Sequence, residues 1–286
     1  MSIKLMIDTC ADLTSEDLDS SVIIMPIPVY IDGKEYLPFI NLSNEEFYKK
    51  QKEANELPKT SQAPLIEIYK SFKKEIENGN EIIAIFMASK MSGTFSSAIL
   101  ARTQLAEEIG EKVNNMIKIV DSENVTYPLA ALCIEAYKMV KEQKMTLEEV
   151  YQRMMYLVSR IKMRAFIQDL TYLKKGGRIS GTTAALAGLF GIKPIIKVEN
   201  GAIETVSKER GLPNAMKKIC ALANEQDIDY SLPCYIGYTY ESKKAQLLLE
   251  HVEKCTKIKV ARTISIGPTV GTHTGPGCTG LCWFIK

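Results

Sequence analysis

The stretch Ala88-Ser89-Lys90-Met91-Ser92-Gly93-Thr94-Phe95-Ser96 follows a dense apolar run, Ile82 to Met87, and precedes a helical pattern beginning near Phe95. A buried strand that runs through a short polar loop into a helix makes an anion site. The first backbone N–H groups of such a helix have no internal partner and carry the positive end of its dipole. Ser92 and Thr94 add hydroxyl donors, and Gly93 lets a ligand approach the backbone. The same residues also serve as ordinary helix caps, so this loop alone fits either role. Two further loops share its chemistry. Thr60-Ser61 stand just before another helix start, and Thr272-His273-Thr274-Gly275-Pro276-Gly277 set one imidazole among hydroxyls and glycines. Together the three loops offer enough donors to satisfy the roughly four lone-pair positions of a carboxylate without a metal.

Other chemistries compete with this one. Asp8 and Asp12 close the first strand and suit acid–base work, although Asp12 equally suits the cap of a helix beginning at Leu13. Ser92 and His273 could form a nucleophile and its base, as in a hydrolase. Against that, Ser92 is not in a G-x-S-x-G elbow and no adjacent acid is marked to orient the histidine. Lys174-Lys175-Gly176-Gly177-Arg178 is a basic, glycine-rich loop that fits a phosphate contact, as in a phosphotransferase, or a solvated turn. It is not a P-loop, because G-x-x-x-x-G-K is absent. Cys278 and Cys282 lie near His273, but one histidine without a second cysteine pair falls short of a zinc site. The seven cysteines are scattered and form no C-x-x-C, the pattern of reduced thiols used as small core residues.

The elements that must position these loops follow an alternating order. Ile3 to Ile7 and Val22 to Val29 read as strands, and Asp32-Gly33 marks a hairpin turn between Tyr30 and Tyr36. Capping boxes at Ser43-Asn44-Glu45-Glu46 and Thr146-Leu147-Glu148-Glu149 open helices. Pro64 suits the first turn of a helix that stops at Gly79. Strands at 82–87 and 116–120 alternate with helices, which predicts a parallel sheet with crossover helices. Near residue 162 the character changes. A short strand at 165–167, a small-residue helix at 183–190, and a hairpin across Glu199-Asn200-Gly201 follow. After them come a helix at 214–224, strands at 234–240 and 257–266 around a helix at 243–254, a glycine-rich segment at 267–280, and a closing strand at 281–285. The expected fold is α/β with two domains, residues 1–162 and 163–286, meeting across a broad interface.

The chain has 286 residues, 46% of them hydrophobic and 24% charged, with a net charge of +2. That balance predicts a globular protein with a full core and gives no reason to expect a nucleic-acid partner. No apolar run is long enough to span a membrane, and Met1-Ser2-Ile3-Lys4 lacks a signal-peptide layout. A cytoplasmic location is expected, with at most passing contact with a membrane and no stable insertion.

The order of motifs resembles a known family. Asp8-Thr9-Cys10-Ala11-Asp12-Leu13, Thr60-Ser61-Gln62, Ser92-Gly93-Thr94-Phe95-Ser96-Ser97-Ala98 and Val120-Asp121-Ser122 occur in turn. Leu173-Lys174-Lys175-Gly176-Gly177-Arg178-Ile179, Gly191-Ile192-Lys193-Pro194-Ile195, Lys208-Glu209-Arg210 and His273-Thr274-Gly275-Pro276-Gly277 complete the series. This pattern resembles the DegV family of bacterial fatty-acid-binding proteins over essentially the whole chain. The resemblance implies an N-terminal Rossmann-like parallel sheet with flanking helices, a C-terminal α/β domain with a mixed sheet, and one long-chain fatty acid between them. It implies a protein that does no chemistry and carries no cofactor or metal. Such a protein presents the carboxylate to a separate fatty-acid kinase, which makes an acyl phosphate for phospholipid synthesis.

By matching motif, Thr60, Ser92 and His273 would hold the carboxylate with the Gly93 N–H, while Ser61, Thr94, Arg178 and Arg210 would contact the head-group region or the partner. A physical reason accompanies this: neutral hydroxyls and helix ends hold a carboxylate without a fixed cation, so release breaks no buried ion pair. The alternatives are the hydrolase or phosphotransferase above, or a lipid carrier or sensor with no kinase partner. The chain departs from the family pattern at Thr9-Cys10, at Tyr127-Pro128 and at Gly211-Leu212-Pro213-Asn214. The first two positions bear on pocket shape and the third on the partner surface.

Overall fold

The computed structural model describes residues 2–14, 16–179 and 191–286, and the statements below concern these residues. The expected helix at 183–190 lies outside them, as does Ser180. In chain order the elements are β1 (Ile3–Asp8), β2 (Ile23–Met25), β3 (Val29–Ile31), β4 (Lys34–Tyr36), α1 (Asn44–Glu53), β5 (Lys59–Thr60), α2 (Leu65–Glu77), β6 (Glu81–Phe86), α3 (Thr94–Ile109), α4 (Val113–Met116), β7 (Ile117–Asp121) and α5 (Thr126–Lys141). There follow α6 (Leu147–Arg160), β8 (Ile161–Phe166), α7 (Thr171–Lys175), β9 (Ile192–Glu199), β10 (Ala202–Arg210), α8 (Leu212–Asn224), β11 (Cys234–Tyr238), α9 (Lys243–Cys255), β12 (Val260–Ser265), α10 (Pro268–Thr274) and β13 (Thr279–Phe284).

These elements make an α/β fold built on three sheets. A parallel sheet has the order β2-β1-β6-β7, a mixed sheet has the order β10-β9-β8-β13-β11-β12, and a small antiparallel sheet has the order β4-β3-β5. Both capping boxes form: Ser43 N donates to Glu46 Oε2 at 3.1 Å, and Thr146 N donates to Glu149 Oε2 at 2.8 Å. The turn at Asp32-Gly33 has both residues at positive φ, which matches the right-handed twist of the flanking strands.

Three expectations are corrected. The strand at Val22–Val29 is two strands in different sheets. Pro26 and Pro28 have no N–H to donate, so the chain leaves the parallel sheet after Met25 and joins the small sheet at Val29. No helix begins at Leu13; Asp12 sits in the left-handed region at φ 54 and ends a short 3-10 turn, Thr9–Ala11. The glycine-rich segment after residue 267 contains a helix, α10, with Pro268 at its start and Gly275 at positive φ just past its end. Proline inside the start and glycine past the end are a helix signature that the surrounding glycines mask.

One hydrophobic core runs from the parallel sheet to the inner face of the mixed sheet. It includes Ile83 and Ile85 of β6, Tyr127 and Leu132 of α5, and Met163 and Ala165 of β8. A second core, with Trp283 and Ile219, lies on the mixed sheet's other face under α8 and α9. The boundary expected after residue 162 falls inside β8, which pairs with β13 and β9 and so belongs wholly to the mixed sheet.

Candidate functional site

A narrow cavity lies between the parallel sheet's C-terminal ends, the small sheet and the inner face of the mixed sheet. Its walls are mostly apolar, with Met87, Met91, Met163, Ile196 and Val270 among them. Its polar lining includes Thr60, Ser61, Ser92, Arg178 and His273. Thr60, Arg178 and His273 also line an open groove with Lys59, Lys175 and Tyr172, so these three stand between the cavity and the outside.

Each polar residue is placed by a different element. Thr60 ends β5 and pairs with Val29 of β3. His273 lies near the end of α10, and its Nε2 is 2.8 Å from Thr60 Oγ1. Although α10 is late in the chain, early residues hold it. Gly267 N donates to Asp12 Oδ1 at 2.8 Å, Tyr48 Oη donates to the Ile266 carbonyl at 2.8 Å, and Gln51 Nε2 donates to the Gly271 carbonyl at 3.1 Å. Gly271 is required by this approach, since a Cβ there would stand 2.6 Å from Tyr48 Oη.

His273 is largely buried, and burial, with the nearby Arg178 charge, lowers its pKa to about 4. The ring is therefore neutral near pH 7, with one N–H. Nδ1 is buried without a partner, against the backbone of Gly176. Orphaned N–H groups are rarer than orphaned acceptors, so the favoured tautomer puts the hydrogen on Nε2. Nε2–H then donates to Thr60 Oγ1 and leaves the Thr60 hydroxyl hydrogen free to donate to an anion.

Ser92 and Thr94 flank the start of α3. Their hydroxyl oxygens are 3.0 Å apart, Thr94 N donates to Ser92 Oγ at 3.3 Å, and Ala63 N donates to Thr94 Oγ1 at 3.1 Å. Thr94 is fully buried and bound into the loop, whereas Ser92 also lines the cavity. Gly93 is the residue before α3 and makes no side-chain cap. A Cβ on it would meet Gln62 Oε1 at 1.9 Å, and Gln62 in turn donates from Nε2 to Ser97 Oγ at 2.8 Å. Gln62 thus locks two of the three polar loops together, a link the sequence reading missed because the two residues lie far apart in the chain. Ser61 lines the cavity beside Thr60.

Arg178 changes the picture of a cation-free site. Its Nε donates to the Met91 carbonyl at 3.2 Å and its Nη1 to the Gly176 carbonyl, so a half-buried guanidinium stands in the cavity lining. Arg210 ends β10, is exposed, and does not line this cavity. Ser92 hydrogen-bonds with Thr94, and His273 with Thr60.

The acidic residues of the opening motif lie elsewhere. Asp8 Oδ1 accepts from Cys10 N and Oδ2 from Met87 N, each at 2.9 Å. Burial raises the pKa of Asp8 to about 6 and that of Asp12 to about 8, against the backbone hydrogen bonds that lower them. Neither carboxyl lines the cavity. Among the described residues no group of histidine, cysteine and acidic side chains is arranged to hold a metal, and no helix is long and apolar enough to cross a membrane.

Comparison with known proteins adds an independent line. The family model described as an uncharacterised protein of the DegV family matches residues 2–286. A DegV domain-containing protein of Caldanaerobacter subterraneus subsp. tengcongensis is 29% identical over 98% of this chain and 97% of its own. Among solved structures, a stearic acid-binding protein from Eubacterium ventriosum superposes with a TM-score of 0.87 at 25% identity, covering 100% of this chain and 99% of the other. A fatty-acid-binding protein, DegV, from Bacillus subtilis superposes with a TM-score of 0.83 at 26% identity over 100% of both chains.

Proposed function

Because the chain belongs to the DegV family, we propose that it binds one long-chain fatty acid non-covalently and presents the carboxylate to a separate fatty-acid kinase. The observation that carries this reading is the apolar cavity whose lining includes the Thr60–His273 pair and Ser92. The acyl chain would lie along the methionine and isoleucine walls. Its burial contributes about 0.8 kcal/mol per CH₂, which supplies most of the affinity. The carboxylate would accept from the Thr60 and Ser92 hydroxyls and the Gly93 N–H, with neutral His273 holding Thr60 in orientation. Ser61, Thr94 and Arg178 would shape the head-group region. Arg210, exposed and away from the cavity, would serve a partner surface.

The groove outside Thr60, Arg178 and His273 supports presentation, since it gives a partner a route to the carboxylate. Mass spectrometry of purified protein, native and then after solvent extraction, tests the binding. A stoichiometric fatty acid is expected. A protein that is empty and takes up no added acid would sink the proposal and turn attention to ester hydrolysis. Acyl-phosphate formation by the organism's fatty-acid kinase with the loaded protein tests the partnership. Its absence would leave a carrier or sensor.

A further inference from the structure

We infer that Tyr127 sets the length and bend of the acyl chain that the cavity admits, an inference that rests on the fatty-acid reading above. The inner face of the mixed sheet carries a trough. Ala165 of β8 pairs with Gly280 of β13, and Gly280 pairs with Gly237 of β11, so three adjacent strands present a row of the smallest side chains. Tyr127 fills that trough from α5. A Cβ on Gly237 would stand 1.9 Å from its Cδ1, and a Cβ on Gly280 would stand 2.2 Å from its Oη. The ring therefore occupies space that only glycines leave free.

Tyr127 and Ala165 both line the cavity. The trough is continuous with the ligand space, and the tyrosine side chain is what closes it off. The residue is fully buried, yet its hydroxyl has no hydrogen-bond partner. Shape holds the ring, so phenylalanine would keep the same outline. The entry to α5 fixes the ring's direction. Thr126 sits at φ 52, a conformation unusual for a β-branched residue, and Tyr127 N donates to the Thr126 hydroxyl.

A graded series of saturated and cis-unsaturated acids, titrated into delipidated protein, tests the inference. Each added methylene gains roughly 4-fold in affinity while it finds apolar space. The wild type is expected to gain along the series and then lose once the chain meets the ring. Tyr127→Ala is expected to move that turning point to longer chains, and Tyr127→Phe to leave it in place. A Tyr127→Ala protein that folds and turns at the wild-type length overturns the inference while leaving fatty-acid binding intact. A wild type that binds no acid in the series overturns the fatty-acid reading itself. Should Tyr127→Ala not fold, the wild type still decides. With a diazirine scanned along the acyl chain, photolabelling at Tyr127 is expected from at least one position, and no labelling there at any position overturns the inference.

Discussion

Two buried polar regions, one after β1 of the parallel sheet and one between β5 and α10, are built on opposite principles. Around Asp8 and Asp12, acidic side chains face backbone N–H groups: Asp8 accepts from Cys10 and Met87, Asp12 from Gly267. Around Thr60, neutral groups face one another, and one hydroxyl hydrogen remains to give. The first arrangement uses its hydrogen bonds to join segments distant in sequence. The second holds polar groups on a cavity wall, ready for a ligand. Both read in sequence as short polar stretches beside an element's end, and it is position relative to the cavity that separates them.

That contrast can be broken by substitution. The largest effect is expected at Asp8→Ala, which leaves two buried N–H groups without an acceptor. At about 1–3 kcal/mol for each, stability in urea should fall by roughly 3–5 kcal/mol. Protein that remains folded should bind ligand as before. An unchanged urea midpoint would show that the acidic region does not hold the fold.

Next comes the pH dependence of Asp12. Its folded pKa, about 8, lies above its unfolded value, so between pH 3.8 and 8 the folded state holds more protons and stability falls as pH rises. From pH 6.5 to 8 Asp12 dominates, because Asp8 titrates at about 6 and the unfolded His273 ring, half protonated at pH 6.5, contributes a smaller change of opposite sign. The slope should approach about 1.4 kcal/mol per pH unit near pH 6.5 and halve by pH 8, a loss of roughly 1.5 kcal/mol. Asp12→Asn keeps an acceptor for Gly267 and should flatten the curve. A variant with the wild-type slope would assign the loss to another group.

The proposed ligand wall should behave in the reverse manner. Thr60→Ala combined with Ser92→Ala should weaken fatty-acid binding by at least about 100-fold, as expected for losing two donors at about 1.5–3 kcal/mol each to a charged acceptor, with a much smaller change in stability. Unchanged affinity by isothermal titration would remove these residues from the site.

The smallest effect is at His273. Its folded pKa, about 4, lies below its unfolded value, so the unfolded state binds the extra proton between pH 4 and 6.5 and stability is lost as pH falls. The ring is partly solvated, which holds the contribution to about 1 kcal/mol. In an Asp12→Asn background, His273→Asn should remove that acid-side loss. Persistence of the loss would place its origin elsewhere.

Much of the fold was readable in the chain because local signals agreed with the tertiary result. Ser43 with Glu46 and Thr146 with Glu149 capped the helices they were expected to cap, and the alternation from β1 to β7 gave the parallel sheet. The errors fall where tertiary hydrogen bonds override local ones. Asp12 has the right chemistry for a cap, but its acceptor is taken by Gly267, more than 250 residues later. Helix α10 is short, with three threonines and a central glycine, and it is held by Tyr48 and Gln51 rather than by its own propensity. In the site, the cavity brings together Thr60, Ser92 and His273, each of which announced itself by type. Gln62 and the trough under Tyr127 did not, because close approach between distant backbones leaves no periodic trace.

The way α10 is held has a kinetic consequence. By chain order His273 belongs with the mixed sheet, yet its helix is tied to Asp12, Tyr48 and Gln51. Any parting of the two sheets that spares these three hydrogen bonds carries α10 with the early half of the chain, flexing ahead of Ile266 and at Gly275. The Thr60–His273 pair would ride through that motion unbroken while the methionine and isoleucine walls separate. Residence time and head-group affinity would then be governed by different bonds, so the lifetime of a loaded protein could be tuned at the clamp on α10 without altering what the mouth recognises.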